Sequence, residues 1–229
     1  VYKRQVGPGG EILAPALFLP ALSGARLMES FDRMVIAKTL NYLHGHPALL
    51  AQTAACAVNV SGPTICDPEF PAWLAERLAC TRVPAGKLVV EITESTAMAD
   101  PDRTQRVLSG LHAWGLTLAI DDFGTGYSSL AYVQRFPFQP VKIDRSFVTP
   151  LDKADGENPL VGAIVAMAQA LGLSTVAEGV ETLEQQRRLV ELGCHNAQGF
   201  LFSRPVPADQ IPATLRRLTR FQPVASVNA

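Results

Sequence analysis

The sequence contains no CxxC pair and no metal-type cysteine spacing; Cys56, Cys66, Cys80 and Cys194 stand far apart. Isolated thiols of this kind read as reduced, partly buried small hydrophobes in a cytoplasmic protein. The four histidines, His44, His46, His112 and His195, form no ligand cluster, and His44 and His46 flank a glycine in a predicted loop. Zinc and thiol chemistry are set aside on these grounds. Long apolar runs are missing too. The stretches from Ala14 to Leu22 and from Ile164 to Leu173 fall well short of the roughly 20 residues a membrane helix needs. Val1 to Gly10 lacks the apolar centre of a signal peptide. No charge of one sign dominates: 20 Lys and Arg against 21 Asp and Glu leave a net charge of −1. No basic field draws in a nucleic-acid polymer. With 48% hydrophobic residues and 18% charged, the chain is not disordered.

The 229 residues suit one domain, expected over residues 1–220 with a frayed tail over 221–229. Short apolar runs predict strands at Cys56–Val60, Leu88–Ile92, Leu116–Ile120, Val141–Ile143, Thr175–Ala177 and Gly199–Phe202. Their near-continuous apolar character fits strands covered on both faces, as in parallel sheets. Helical patterns lie between them. One spans about Met28 to Leu43. Asp100-Pro101 opens another, with Val107, Leu111 and Trp114 on one stripe and Gly115 as its stop. Asn158-Pro159 opens a third, carrying Leu160, Ile164, Met167 and Leu171. Thr182 and Gln185 fit a capping box ahead of Leu189 and Leu192. Strand–helix alternation along the chain implies parallel βαβ units, and a (β/α)8 barrel with an element missing at the start fits the length.

Each apolar run is closed by a polar group: Asn59, Glu91, the pair Asp121-Asp122, Lys142 with Asp144, Glu178 and Gln198. Successive members are 20 to 36 residues apart, one strand–helix unit each. Side chains at the C-terminal ends of parallel barrel strands converge on one face, where such enzymes keep their active sites. Any single Asp or Glu there reads equally as a helix cap; six strands sharing the pattern do not. Carboxylates with an amide oxygen are hard ligands suited to Mg²⁺ or Mn²⁺. An adjacent Asp pair can bridge two ions about 3.5–4 Å apart, the arrangement for in-line displacement at phosphorus. An acid/base enzyme using Glu178 and Lys142 alone is the alternative, and it leaves Asn59, Glu91 and Asp121 without work. Lys142 also reads as a structural ion pair. Glu94 sits just past its strand end, placed to anchor the loop of Phe123, Gly124, Thr125 and Gly126, whose glycines permit close backbone approach.

These segments are met again, in order, in one known family. "VNVS" with Asn59, "EITES" with Glu91 and Glu94, "DDFGTGYSSL" (121–130), "VKIDRSFV" (141–148), "VAEGVET" (176–182) and "QGFLFSRP" (198–205) resemble the EAL domain of bacterial cyclic-di-GMP phosphodiesterases. The resemblance covers about Gly10 to Pro207. It implies a modified (β/α)8 barrel and two divalent ions, Mg²⁺ or Mn²⁺, that help cut cyclic di-GMP to linear pGpG. It implies that Asn59, Glu91 and Asp121 bind the first ion and Asp121 and Asp122 the second. It implies that Lys142 positions the water, that Glu178 is the general base or a partner of the metal-bound water, and that Asp144 and Gln198 complete the site. It further implies that Glu94 and the loop Phe123–Gly126 couple a homodimer to the metals, and domains of this family commonly follow sensory or GGDEF modules in the parent protein. The naming motif, Glu-Ala-Leu-x-Arg, is absent: its Arg aligns with Arg4 and its Glu falls one residue before Val1. The expectation is therefore a fragment incomplete at the first strand, with the origin of Val1–Gln5, native or foreign, left open and Arg4 not counted as a site residue. A non-hydrolysing cyclic-di-GMP receptor is the alternative, resting on that absent Glu.

Overall fold

The computed structural model describes residues 5–6, 9–10, 12–125, 130–152 and 158–219. The chain falls into two compact units, residues 1–118 with 135–137 and residues 119–134 with 138–229.

The first unit opens with a short antiparallel pair, β1 (Gln5–Val6) and β2 (Ile12–Leu13). Helix α1 (Pro15–Gly24) begins on a proline, whose missing N–H is no loss at a first helical position. Helix α2 (Met28–Gly45) turns Asp32, Ile36, Thr39, Leu40 and Leu43 inward, a face spaced by threes and fours. That face packs on α3 (Pro47–Gln52), β3 (Cys56–Asn59), α4 (Gly62–Ile65) and α5 (Phe70–Thr81). Strand β4 (Leu88–Thr93) lies parallel to β3, with Asn59 opposite Glu91. Leu88, Val90 and Ile92, alternate residues on one face of the strand, are buried to within 1% exposure, and helices follow. Those are α6 (Glu94–Ala99) and α7 (Pro101–Ala113), which Asp100 caps by accepting the Arg103 N–H.

The second unit takes its sheet from β5 (Thr117–Phe123), β6 (Pro140–Ile143), β7 (Ser174–Ala177) and β8 (Asn196–Ala197), each parallel to the next. The connections carry α8 (Leu130–Arg135) after β5, α9 (Arg145–Val148) and α10 (Pro159–Ala170) after β6, and α11 (Leu183–Glu191) after β7. Helix α12 (Ile211–Leu218) closes the described chain. Parallel strands joined through helices make this an α/β protein. Among the described residues no helix is long and apolar enough to cross a membrane.

Several expectations need correction. The last strand is Asn196–Ala197, and Gly199–Phe202 is instead a turn, with the Phe202 N–H donating to the Gly199 carbonyl. The aromatic pair there looked strand-like, but Gly199 runs so close to Val180 that a Cβ would overlap the Val180 backbone. Trp114 leaves the expected stripe because α7 ends at Ala113; the buried face is Thr104, Val107, Leu108 and Leu111, and Trp114 is 59% exposed. Leu160 and Leu192 are exposed, and α10 buries Val161, Ile164, Val165 and Ala168. His44 ends α2 rather than sitting in a loop. The tail over 221–229 lies outside the described residues.

Helix α11 begins with the expected capping box: Thr182 Oγ1 accepts from the Gln185 N–H at 3.1 Å, and Gln185 Oε1 accepts from the Thr182 N–H at 3.1 Å. Thr182→Ala is expected to lower stability by about 1 kcal/mol in urea unfolding. On the same helix the side-chain bonds from Arg187, then Arg188, hold the solvent-facing Glu184 carboxyl down to about 2 from its ordinary 4.5. A depressed acid stabilises above its unfolded value, and that contribution disappears as the pH falls from 4.5 toward 2. Glu184→Gln should therefore lower the urea midpoint at pH 7, with most of that difference gone at pH 2 and added salt shrinking it.

Candidate functional site

Two neighbouring aspartates on a regular strand point to opposite faces. Strand β5 departs from that rule at the residues that matter. It pairs with β6 at Ile120↔Val141 and Phe123↔Ile143, so three steps on β5 match two on β6 and one residue bulges out between them. Asp122 takes up the bulge in the left-handed region, at φ 53°. Aspartate is among the few residues that enter that region readily, and a bulge re-aims the side chains beside it. As a result carboxylate oxygens of Asp121, Asp122 and Glu178 all lie within 4.8 Å of one another.

Lys142 reaches this cluster from the middle of β6. Its Nζ donates to Asp121 Oδ1 at 2.9 Å and pairs with Glu178 Oε1, and its side chain is only 5% exposed. Glu178 follows β7 directly, its N–H donating to the Ile143 carbonyl at 3.0 Å. Gln198 follows β8 and donates from Nε2 to Glu178 Oε1 at 2.6 Å. Asp121, Asp122 and Glu178 thus gather their carboxylate oxygens around the Lys142 ammonium in a largely buried place. Oxygen donors of this kind fit a hard divalent cation, and the cluster can take one.

The other candidates nearby have local tasks. Asp144 does not project beside Lys142 on the strand. It lies past the strand end and caps α9, accepting the Ser146 N–H at 2.9 Å. Burial presses its carboxyl upward, but the hydrogen bonds of Ser146, that of the Arg145 N–H and the Arg145 charge outweigh it and hold the group below the usual range. After Asp122, Phe123 is buried and Gly124 turns at φ 93° against Phe147, whose ring would sit 3.1 Å from an added Cβ. The Thr125 hydroxyl donates to the Asp122 carbonyl at 2.8 Å. Gly126 lies outside the described residues.

In the first unit, the ends of β3 and β4 bring Asn59 and Glu91 together. Asn59 Nδ2 donates to Glu91 Oε2 at 3.3 Å, which leaves Asn59 Oδ1 as an acceptor. Glu91 is buried, and Glu94, 4% exposed, is the first residue of α6 behind the Thr93 cap. The polar residue that sequence reasoning passed over is Asp32. It lies one turn before Ile36 on the inward face of α2, and its Oδ2 accepts from Ser61 N, Ser61 Oγ and Thr64 Oγ1 at 2.9, 2.5 and 2.7 Å. A carboxylate on the apolar stripe of a helix was the available signal. The predicted residues thus form two groups: Asn59 with Glu91 in the first unit, and Asp121, Asp122, Lys142, Glu178 and Gln198 in the second.

Comparison with known proteins adds an independent line. The family model described as "EAL domain" matches residues 1–205. The bifunctional diguanylate cyclase/cyclic di-GMP phosphodiesterase MucR of Pseudomonas aeruginosa is 50% identical over 217 residues, covering 93% of this chain and 31% of MucR. The cyclic di-GMP phosphodiesterase NbdA of the same organism is 37% identical over 228 residues, 96% of this chain and 28% of NbdA. The chain therefore spans about a third of the length of these relatives. A solved MucR phosphodiesterase in complex with c-di-GMP superposes with a TM-score of 0.83 at 37% identity, over 91% of this chain and 84% of that one. The likeness assigns the fold: α/β, a modified (β/α)8 barrel.

Lys142 is the cation that lets the acids of the second unit approach in the absence of metal. Removing one partner of a buried ion pair leaves the others uncompensated. Lys142→Met is expected to lose about 3 kcal/mol of stability in EDTA, and Mn²⁺ should restore part of it; urea unfolding with and without the ion checks both.

Proposed function

Because the chain belongs to the EAL domain family, we propose that it hydrolyses cyclic di-GMP to linear pGpG in a metal-dependent reaction. The single observation behind this reading is the gathering of Asp121, Asp122 and Glu178 around Lys142 at the ends of parallel strands. MucR and NbdA, whose names carry this activity, support it.

In this reading Asp121 and Asp122 hold two divalent ions, Mg²⁺ or Mn²⁺, with Asn59 and Glu91 as further ligands of the first. The ions, when bound, polarise the phosphodiester and the attacking water. The chain's own groups do the rest. Glu178 would accept a proton from the water as its oxygen adds to phosphorus; the P–O3′ bond breaks, and the 3′ oxygen takes a proton from a solvent water to leave as a hydroxyl. Lys142 steadies the charge that gathers on the phosphoryl oxygens and keeps the Glu178 carboxylate in place. Gln198, donating to Glu178, fixes the direction in which that carboxylate presents its free lone pairs. Asp144 keeps the end of β6 in position by capping α9. Glu94, Phe123, Gly124, Thr125 and Gly126 form the proposed link between a homodimer and the metals. A sensory or GGDEF module in the parent protein and a cytoplasmic setting complete the proposal; MucR, three times as long, is by name also a diguanylate cyclase.

Incubating the chain, alone and preceded by a Glu-Ala-Leu-x-Arg segment, with cyclic di-GMP and Mn²⁺ should yield pGpG on chromatography, with EDTA stopping it. Glu178→Gln is expected to lower kcat by about 100-fold or more. Cyclic di-GMP binding with no pGpG from either form overturns the proposal in favour of the receptor reading.

A further inference from the structure

We propose that Asp32, which belongs to no strand end and to no motif of the site, is a positioning residue that sets Asn59 for metal binding. The inference rests on the proposed role of Asn59 as a ligand.

The geometry begins where the sheet stops. Strands β3 and β4 keep register as far as Asn59↔Glu91, and the last backbone bond of the ladder is the Val60 N–H donating to the Glu91 carbonyl at 2.8 Å. The next peptide N–H, that of Ser61, is not part of that ladder. Asp32 takes it at 2.9 Å, from a helix rather than from the sheet, and so holds the backbone one residue past the last ladder bond. The Ser61 and Thr64 hydroxyls donate to the same oxygen, which fastens the first turn of α4 to α2 as well. One residue along α2, Arg33 pairs with Asp67 at the far end of the same connection, and Asp67 in turn accepts the Glu69 N–H at 2.9 Å. Residues 61–67 are therefore clamped to α2 at both ends, immediately after the candidate ligand.

Three donors converging on one oxygen call for a carboxylate, an acceptor on every side. A neutral residue could have packed α2 at this position without the penalty of burial, which pushes the Asp32 carboxyl above its ordinary range. A fixed backbone at Val60 and Ser61 limits how far Asn59 can rotate out of line with Glu91, and partners behind a metal ligand commonly change metal affinity by about 10–100-fold when removed.

The test measures Mn²⁺ binding by electron paramagnetic resonance in the absence of substrate, on the full chain, alongside its thermal unfolding. Asp32→Asn keeps the shape and one acceptor oxygen; it should weaken Mn²⁺ binding about 10-fold and leave KM for cyclic di-GMP unchanged at saturating Mn²⁺. Thr64→Val, which deletes one donor only and tolerates folding better, should move binding the same way by less. Leu74→Ala, a buried change in α5 that removes none of the Asp32 hydrogen bonds, supplies a destabilised control that should bind Mn²⁺ as wild type does. Asn59→Ala separates the two readings. If it leaves Mn²⁺ binding intact, Asn59 is no ligand and both the assignment and this inference fall. If it weakens binding while Asp32→Asn and Thr64→Val do not, or if Leu74→Ala weakens it equally, the inference alone is overturned.

Discussion

A buried ammonium between two carboxylates governs the second unit. Lys142 stands 5% exposed in the middle of β6 and touches both Asp121 and Glu178, which come from the strands on either side. Charges in such a place are unstable singly, since desolvation is severe unless each has a partner. The third acid, Asp122, stands in the same cluster, its carboxylate within 4.8 Å of the other two. Carboxylate oxygens gathered this closely are of the kind that a hard divalent cation takes as ligands.

The local backbone is bent to produce that cluster. Sequence adjacency alone would have put Asp121 and Asp122 on opposite faces, and the extra residue in β5 brings them to the same end. The left-handed conformation at Asp122 and the following turn at Gly124 belong to one distortion. Its energetic burden is borne by the packing of Phe123 in the core and of Gly124 against Phe147 and Ile164. Strain at a candidate site, secured by a packed neighbour, is a common economy of functional loops.

What could be read beforehand divides along physical lines. The strands with β-branched or aliphatic runs, at Cys56, Leu88, Val141 and Thr175, were legible because covered parallel strands have a distinct composition. The capping box at Thr182 was legible because its chemistry is wholly local. Strand β8 was not, since two residues, Asn196 and Ala197, carry no hydrophobic signal and pair only because β7 offers its edge. Trp114 and Leu160 misled because a hydrophobic residue at a helix end can face water with little penalty. At the site, the residue types and their spacing were visible in the sequence, and the bulge that lets two adjacent acids act together was not. Asp144 was visible beside the strand, but its task was not: β6 ends at Ile143, and the residue just past that end caps α9.

Asp32 belongs to a different class of invisibility. Nothing in its neighbourhood along the chain points to residues 59–64; the partners are 29 and 32 residues away. Only the packing of α2 on β3 and α4 makes them neighbours. The same packing explains why the acid is tolerated. A helix that buries Ile36, Leu40 and Leu43 has enough apolar contact to carry one charged side chain inward, provided that side chain arrives at donors already short of acceptors. The Ser61 N–H is such a donor: it lies one residue past the last β3–β4 bond and finds its acceptor on α2 rather than on a strand.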